Sequence, residues 1–453
     1  MNRPAGKVCE VFEEAAAREG TYRLLENDAV EPEAIARAAH QATARRAGDA
    51  SYVFVAVDGT SLNIADHERA KGLGVVGARF VGATGLQVMT ALAVSDQGVP
   101  LGLCGQSYWA RTKPSTRKKK SKNDTRPVEE KETQRWLDVL AQVRTAMKED
   151  APHTKPWFQL DRGGDAWPVL LDAMRTGELC TIRAAYDRRL TESVVAEPRR
   201  YLWEKLEAEP VLGTMELDVQ ARPAKKLTHA KTRPAREARR ALMELRACKV
   251  SLDLLVDGRS KSVASPLLYA LLARESSETA QGQEPIEWML LTSHPIRSLK
   301  SAKLVLFGYT QRWRIEEFHK TWKSGACKVE DTQLRAQDHI IRWATVLASV
   351  AARILRLSYL SRTFPDLPAA EEFSRPEIDA IVISAKSPGH RPGSTPKLGA
   401  LVLLLARVGG YTGRGSGGPP GALVLARGLL KIEMLALALE TGLVEISRRR
   451  RKM

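Results

Sequence analysis

Long apolar runs are missing from this chain of 453 residues. The longest aliphatic stretch, LGALVLLLA from Leu398 to Ala406, is far shorter than the roughly 20 residues a membrane-spanning helix needs. The amino terminus, MNRPAGKVCEVFEEAAAREG, has no apolar core of signal-peptide type, so no membrane partner is expected. Cysteine is scarce too. Cys9, Cys104, Cys180, Cys248 and Cys327 stand far apart, with no CxxC pair and no histidine at zinc-finger spacing. That excludes a zinc finger or a disulfide scaffold and suits reduced, mostly buried thiols of a cytoplasmic protein. Nucleotide cradles are absent: the glycine-rich GGYTGRGSGGPPG near the carboxyl end fits neither GxGxxG nor GxxxxGK[ST] and reads as a loop. Acid is in deficit, with 53 Asp and Glu against 70 Lys and Arg, a formal charge of +17 and a pI near 9.7. Such a balance asks for a polyanionic partner, nucleic acid first, with a basic ribosome-associated or merely soluble protein as the plainer reading of charge alone. No RNP or GXXG signature points to RNA.

What the chain has is apolar content of 43%, enough for two or three packed units. Residues 1–45 are Ala- and Glu-rich with helical spacing. From Ser51 to Trp109, short apolar runs with glycine punctuation (SYVFVAV, LQVMTALAV, VPLGLCGQSYW) read as consecutive strands. A basic stretch, ARTKPSTRKKKSKNDTRP, reads as a loop, near phosphates or simply in water. A helix with Trp136, Leu137, Leu140 and Val143 on one side, a strand at WFQL, a helix through PVLLDAMRTG and a strand at CTIRAAY complete an α/β alternation. Residues 196–292 read as a β-rich insertion, and 293–362 return to helix. The last region, 363–453, is helical and ends in the cations Arg448 to Lys452, a tail or a DNA contact.

The most informative segment is YTQRWRIEEFHKTWK, Tyr309 to Lys323. Read as one helix, it puts Tyr309, Arg312, Glu316 and Lys323 within an arc of roughly 60°. Ile315, Phe318 and Trp322 take a neighbouring, packing face. A carboxylate among phosphate-seeking side chains needs further acids if metal ions are to be held. Asp58 after VFVAV and Asp161 after WFQL are the candidates, expected at strand ends. An Asp after an apolar strand is also an ordinary turn former or helix cap.

VDGTSL around Asp58, LDRGGDAW around Asp161 and YTQRWRIEEFHKTWKSG around Glu316 together resemble the three boxes of DDE cut-and-paste transposases of insertion-sequence family four, the branch of the transposon-five transposase. The last box carries the family's Y-x2-R-x3-E-x6-K signature. The resemblance implies an α/β fold with an RNase H-like mixed sheet and helices (46–195 and 293–362), interrupted by the β-rich insertion. A helical carboxyl-terminal region, 363–453, would support dimerisation. It implies Asp58, Asp161 and Glu316 as a catalytic triad binding Mg²⁺, with Mn²⁺ as an alternative. Glu317 is the rival acid, about 100° away from Glu316 on the wheel. Tyr309, Arg312, Lys323 and Arg183 would hold phosphates, with Lys320 beside them. Trp288 would be the platform for a flipped base and Trp313 a neighbour of that pocket, although a tryptophan among aliphatics is more often core. KTRPAREARRALMELRA, 231–247, resembles the family's arginine-rich connection, or is a charged helix or loop in water. Trp136 is similar to a residue of the helix before the second box, its simplest role being core packing.

Only 57 residues precede Asp58, fewer than the family places there, so residues 1–45 are expected to be a remnant of its helical end-recognition region. The function implied is metal-dependent cleavage, hairpin formation and strand transfer on double-stranded DNA, both transposon ends and target. It would be carried out by a homodimer on DNA, in the cytoplasm at the nucleoid. Rivals are a truncated, catalytically silent transposase acting as an inhibitor and another RNase H-like endonuclease.

Overall fold

The computed structural model describes residues 6–12, 14–48, 50–77, 83–111, 127–175, 177–191, 201–228, 231–256, 261–280, 283–413 and 418–444. Most of the basic stretch after Trp109, the centre of the glycine-rich segment and the Arg448–Lys452 tail lie outside them.

Three helices open the chain: α1 (Val8–Val11), α2 (Ala15–Glu26) and α3 (Pro32–Ala47). Strands β1 (Tyr52–Asn63), β2 (Gly74–Val75), β3 (Thr84–Val94) and β4 (Pro100–Trp109) follow. Then come α4 (Thr133–Asp150), β5 (Lys155–Leu160), α5 (Trp167–Arg175), β6 (Leu179–Arg183) and α6 (Leu202–Ala208). The next stretch holds β7 (Gly213–Val219), β8 (Lys225–Thr228), β9 (Lys231–Arg233), β10 (Arg239–Val250), β11 (Asp253–Leu255), β12 (Ser262–Ala264), β13 (Leu268–Glu275), α7 (Ser277–Ala280) and β14 (Glu287–Thr292). The remainder is helical: α8 (Leu299–Thr310), α9 (Trp313–Lys323), α10 (Gln337–Thr363), α11 (Arg375–Ala385), α12 (Leu398–Val408) and α13 (Ala422–Glu440).

The chain is thus a mixed α/β protein with a helical carboxyl-terminal region. Its large sheet has ten strands in the order β2-β3-β1-β5-β6-β14-β13-β10-β7, with β4 also on β3. β1, β5 and β6 are mutually parallel and the other pairings antiparallel. Strands β7, β10, β13 and β14 of the β-rich stretch continue this sheet through the β6–β14 pairing. Central strands read as unbroken apolar runs because both faces are covered, and Val53 to Val57 are all buried. Phe54, Ala56 and Trp157 share one core with residues of α8, α9 and α10. Val55, Val57, Phe158 and Leu160 share the other with α4 and α5.

The arginine-rich 231–247 segment is neither helix nor loop along most of its length, because Arg239–Val250 is β10. Its alternating Ala241, Met243 and Leu245 are buried, and this period-two burial holds it in the sheet. Arg239 is tied to the buried Glu275 at 2.7 Å, and Arg240 lies 3.5 Å from Glu216. Arg239 is thus held by a buried carboxylate, while Arg240 stays largely exposed.

The opening helices dock on α10. Val8 and Leu25 are buried, Arg342 donates to the carbonyl oxygens of Leu25 (2.8 Å) and Val30 (2.6 Å), and the Trp343 indole donates to Gly6 (2.6 Å). On the sheet, α8 comes closest at Gly308, where a Cβ would stand 2.4 Å from the Phe54 ring. Gly308→Val should therefore lower the unfolding free energy by about 1–3 kcal/mol, read as a reduced urea midpoint at unchanged m-value.

Candidate active site

Strand register brings distant residues to one place. Val57 pairs with Leu160, and Leu160 with Ile182. The next residues, Asp58, Asp161 and Arg183, therefore stand side by side where the parallel pairing of three strands stops, roughly 4.8 Å apart per strand. Side-chain alternation points them to the face carrying Phe54, Ala56 and Trp157, the one covered by α8 to α10. Asp58 is not at a strand end, as the sequence suggested. β1 runs on to Asn63 in its antiparallel pairing with β3.

Asp161 leaves β5 into a short 3₁₀ turn, Arg162–Gly164, where its Oδ1 accepts the Gly163 N–H at 2.7 Å. The turn is fixed from behind. Asp165 accepts the Ala185 N–H at 2.7 Å and pairs with Arg188 at 2.5 Å. Trp136, 8% exposed, packs under Gly163 and Gly164, which is the core role read for it.

The Tyr309–Lys323 segment is not one helix. α8 ends at Thr310 and α9 begins at Trp313. Through the junction, hydrogen bonds shift to three-residue steps: Arg312 to Tyr309, Arg314 to Gln311 and Ile315 to Arg312. The cause is crowding at the Phe307 carbonyl, which also accepts the Thr310 hydroxyl (2.6 Å) and the Gln311 side-chain amide (3.3 Å). Such back-bonding tightens and bends helices. Tyr309 is thereby turned inward and buried, and Arg312 is presented at the start of α9.

Arg312 Nη1 donates to Asp58 Oδ2 at 2.6 Å and lies 3.8 Å from Glu316 Oε1. Glu316 sits in the first turn of α9, where the helix dipole favours a carboxylate. Its side chain is 48% exposed, against 14% for Asp58. Burial pushes the Asp58 carboxyl up to about 7; Arg312 opposes this, and the charges of Asp161 and Glu316 add to it. Desolvation therefore outweighs the ion pair. Burial also raises the Tyr309 phenol, and the nearby positive charges of Arg312 and Arg183 oppose this. Trp288 meets the Tyr309 ring edge to face at 5.4 Å. Arg183 also donates to the Glu287 carbonyl at 3.1 Å.

One cluster thus holds Asp58, Asp161, Glu316, Arg312, Tyr309, Arg183 and Trp288. Lys323 stands further along β1, 3.2 Å from Thr60 Oγ1 and 3.6 Å from Glu330. Lys320 is exposed, and Trp313 is 50% exposed beside Arg312. His319 escaped the sequence reading although it is three residues after Glu316 on the same face. It is buried with Nε2 unpartnered, and burial, then Lys323 and Arg312, push its pKa down to about 3. It is a neutral acceptor or donor under this face.

The three carboxylates are an all-oxygen donor set of the kind that hard divalent cations take. As the side chains stand, no group of three His, Cys, Asp or Glu among the described residues could hold a metal ion. The cation against Asp58 is Arg312.

Residues 349–442 match the family model for the transposase Tn5 dimerisation domain. The match supports a place among Tn5-like transposases, and with it a DNA-processing enzyme that forms homodimers. Within it, α13 carries Leu423, Met434 and Leu437 exposed along one side. Introducing Glu at both Met434 and Leu437 should shift the protein toward monomer in sedimentation velocity while leaving its melting curve in place. Among the described residues no helix is long and apolar enough to cross a membrane.

Proposed function

We propose that this protein is a DDE transposase of insertion-sequence family four type, cutting and rejoining DNA at the Asp58–Asp161–Glu316 cluster. The observation that carries the reading is the side-by-side register of Asp58, Asp161 and Arg183, capped from α9 by Arg312 and Glu316. The order β4-β3-β1-β5-β6, with β1, β5 and β6 parallel, supports an RNase H-like core.

Asp58, Asp161 and Glu316 would hold Mg²⁺ or Mn²⁺, which when bound supplies an activated water and charge stabilisation for in-line displacement at phosphorus. Arg312 and Arg183 grip the phosphates on either side of Tyr309 through planar forks. Their binding sets the strand in line with the acids. Trp288, held edge-on by Tyr309, offers an indole for a base turned out of the duplex. Burial of Asp58 and Tyr309 keeps bulk water from competing for these groups.

The test is incubation of the purified chain with Mg²⁺ and a duplex bearing the element's own inverted repeats. Hairpin-ended products that vanish with Glu316→Ala are expected. Tight binding without cleavage would leave an inhibitor, and nicking without hairpins a different endonuclease.

A further inference from the structure

β5 stops at Leu160 while β1 runs on to Asn63, so beyond Gly59 that flank of β1 has no strand beside it among the described residues. A cleft of about 670 Å³ opens there, lined by Asp58, Asp161, Ser61, Gln87, Trp109 and Trp136 among others. Volumes of roughly 300–1,000 Å³ are typical of sites for small organic groups. One row of the lining crosses three strands: Ser61 of β1 pairs with Gln87 of β3, and Gln87 with Trp109 of β4. By strand alternation these three project from the sheet face opposite to Asp58. Arg183, Tyr309 and Trp288 do not line the cleft, which shares only Asp58 and Asp161 with their groove.

Gln87 is only 8% exposed, and its amide Nε2 has no acceptor among the described residues. A buried amide donor in that state calls for a partner. The Trp109 indole beside it is half-buried, with the Arg135 guanidinium 5.5 Å from its ring centre. An indole, an amide donor and a hydroxyl in a row match the face and edge of a nucleobase.

The geometry points to a second nucleotide subsite in this cleft, taking a base of the DNA strand on the other side of the reacting phosphate from Arg183 and Trp288. The base stacks along Trp109, and one of its carbonyl or ring-nitrogen acceptors takes the Gln87 Nε2–H. This assignment rests on reading Asp58 and Asp161 as the acids that flank that phosphate.

The full-length chain is titrated with a short oligothymidylate in metal-free buffer, following anisotropy and tryptophan fluorescence, with thermal melts alongside. Trp109→Ala should weaken binding about ten-fold, and Trp109→Phe should restore most of it. Gln87→Leu should weaken binding about three-fold or more while melting no lower than wild type, since it removes an unpartnered amide. Wild-type affinity in both Trp109→Ala and Gln87→Leu, with native melts, would overturn the subsite. Binding is read here without cleavage. Wild-type affinities in these variants would overturn the subsite alone, whereas absence of Glu316-dependent cleavage with the affinity losses intact would overturn the reading of the acids alone.

Discussion

Asp58→Asn is expected to reduce strand cleavage by on the order of a thousand-fold while duplex affinity stays within about three-fold of wild type. The substitution keeps the shape of the side chain but removes the charge with which the proposed site would hold a divalent cation. Its effect on stability should have the opposite sign. In the folded protein this carboxyl titrates at about 7 instead of the ordinary 3.8, with burial as the first cause. Between those values the native state holds a proton that the unfolded chain has released. The contribution of Asp58 to stability is therefore complete below about pH 4 and is lost as pH rises through about 7. Asn carries no such penalty. The unfolding free energies of the two proteins should converge toward pH 4 and separate by pH 8, the variant being the more stable. Chemical denaturation at a series of pH values checks this, and a variant less stable than wild type at pH 8 would contradict it. Lost activity with gained stability is the signature of a functional site held in an unfavourable state.

The second large effect is expected at Arg312. Its guanidinium is 12% exposed and touches Asp58 and Glu316, so Arg312→Ala removes the counter-charge of a buried acid. Breaking a buried pair from one side costs about 3–5 kcal/mol. Here Asp58 can take up a proton near neutrality, so the loss should be smallest below pH 7 and should grow above it. Cleavage should fall by on the order of a hundred-fold or more, with weaker binding of DNA ends, because the fork beside Tyr309 is gone. Arg312→Lys should recover little activity, since a single ammonium cannot reach two acids and a phosphate in the same planar geometry. Assays at saturating DNA separate the catalytic loss from the binding loss. Full activity in Arg312→Lys would mean that only charge matters at this position.

Much of this arrangement was legible beforehand. The run VFVAV before Asp58 and WFQL before Asp161 declared buried strands. Once two such strands lie parallel, residues that follow the runs become neighbours. Arg183 could be placed for the same reason, as the residue after CTI. Three features could not be read. The break at Gln311–Arg312 has no proline or glycine to mark it, and arises from side-chain donors converging on one carbonyl. The continuation of β1 past Asp58 depends on antiparallel pairing with β3, which a local pattern of Gly59, Thr60 and Ser61 does not announce. The pairing of Arg239 with the buried Glu275 was hidden because sequence shows cations without the acids that neighbouring strands bring to them. His319 was readable from its three-residue step after Glu316 and was hidden only by the louder charges around it.

The pairing of β14 with β6 has a consequence for modularity. Leu290, Leu291 and Thr292 complete the ladder of Arg183, Ile182 and Thr181, so the strand bearing Arg183 is flanked on one side by a segment that covalently looks like an excursion. A shortened protein without that segment would leave β6 as a raw edge, open to pairing with a foreign chain. The detour therefore works as a splint. It cannot be trimmed away as an accessory, and the core and the detour have to be inherited, folded and lost together.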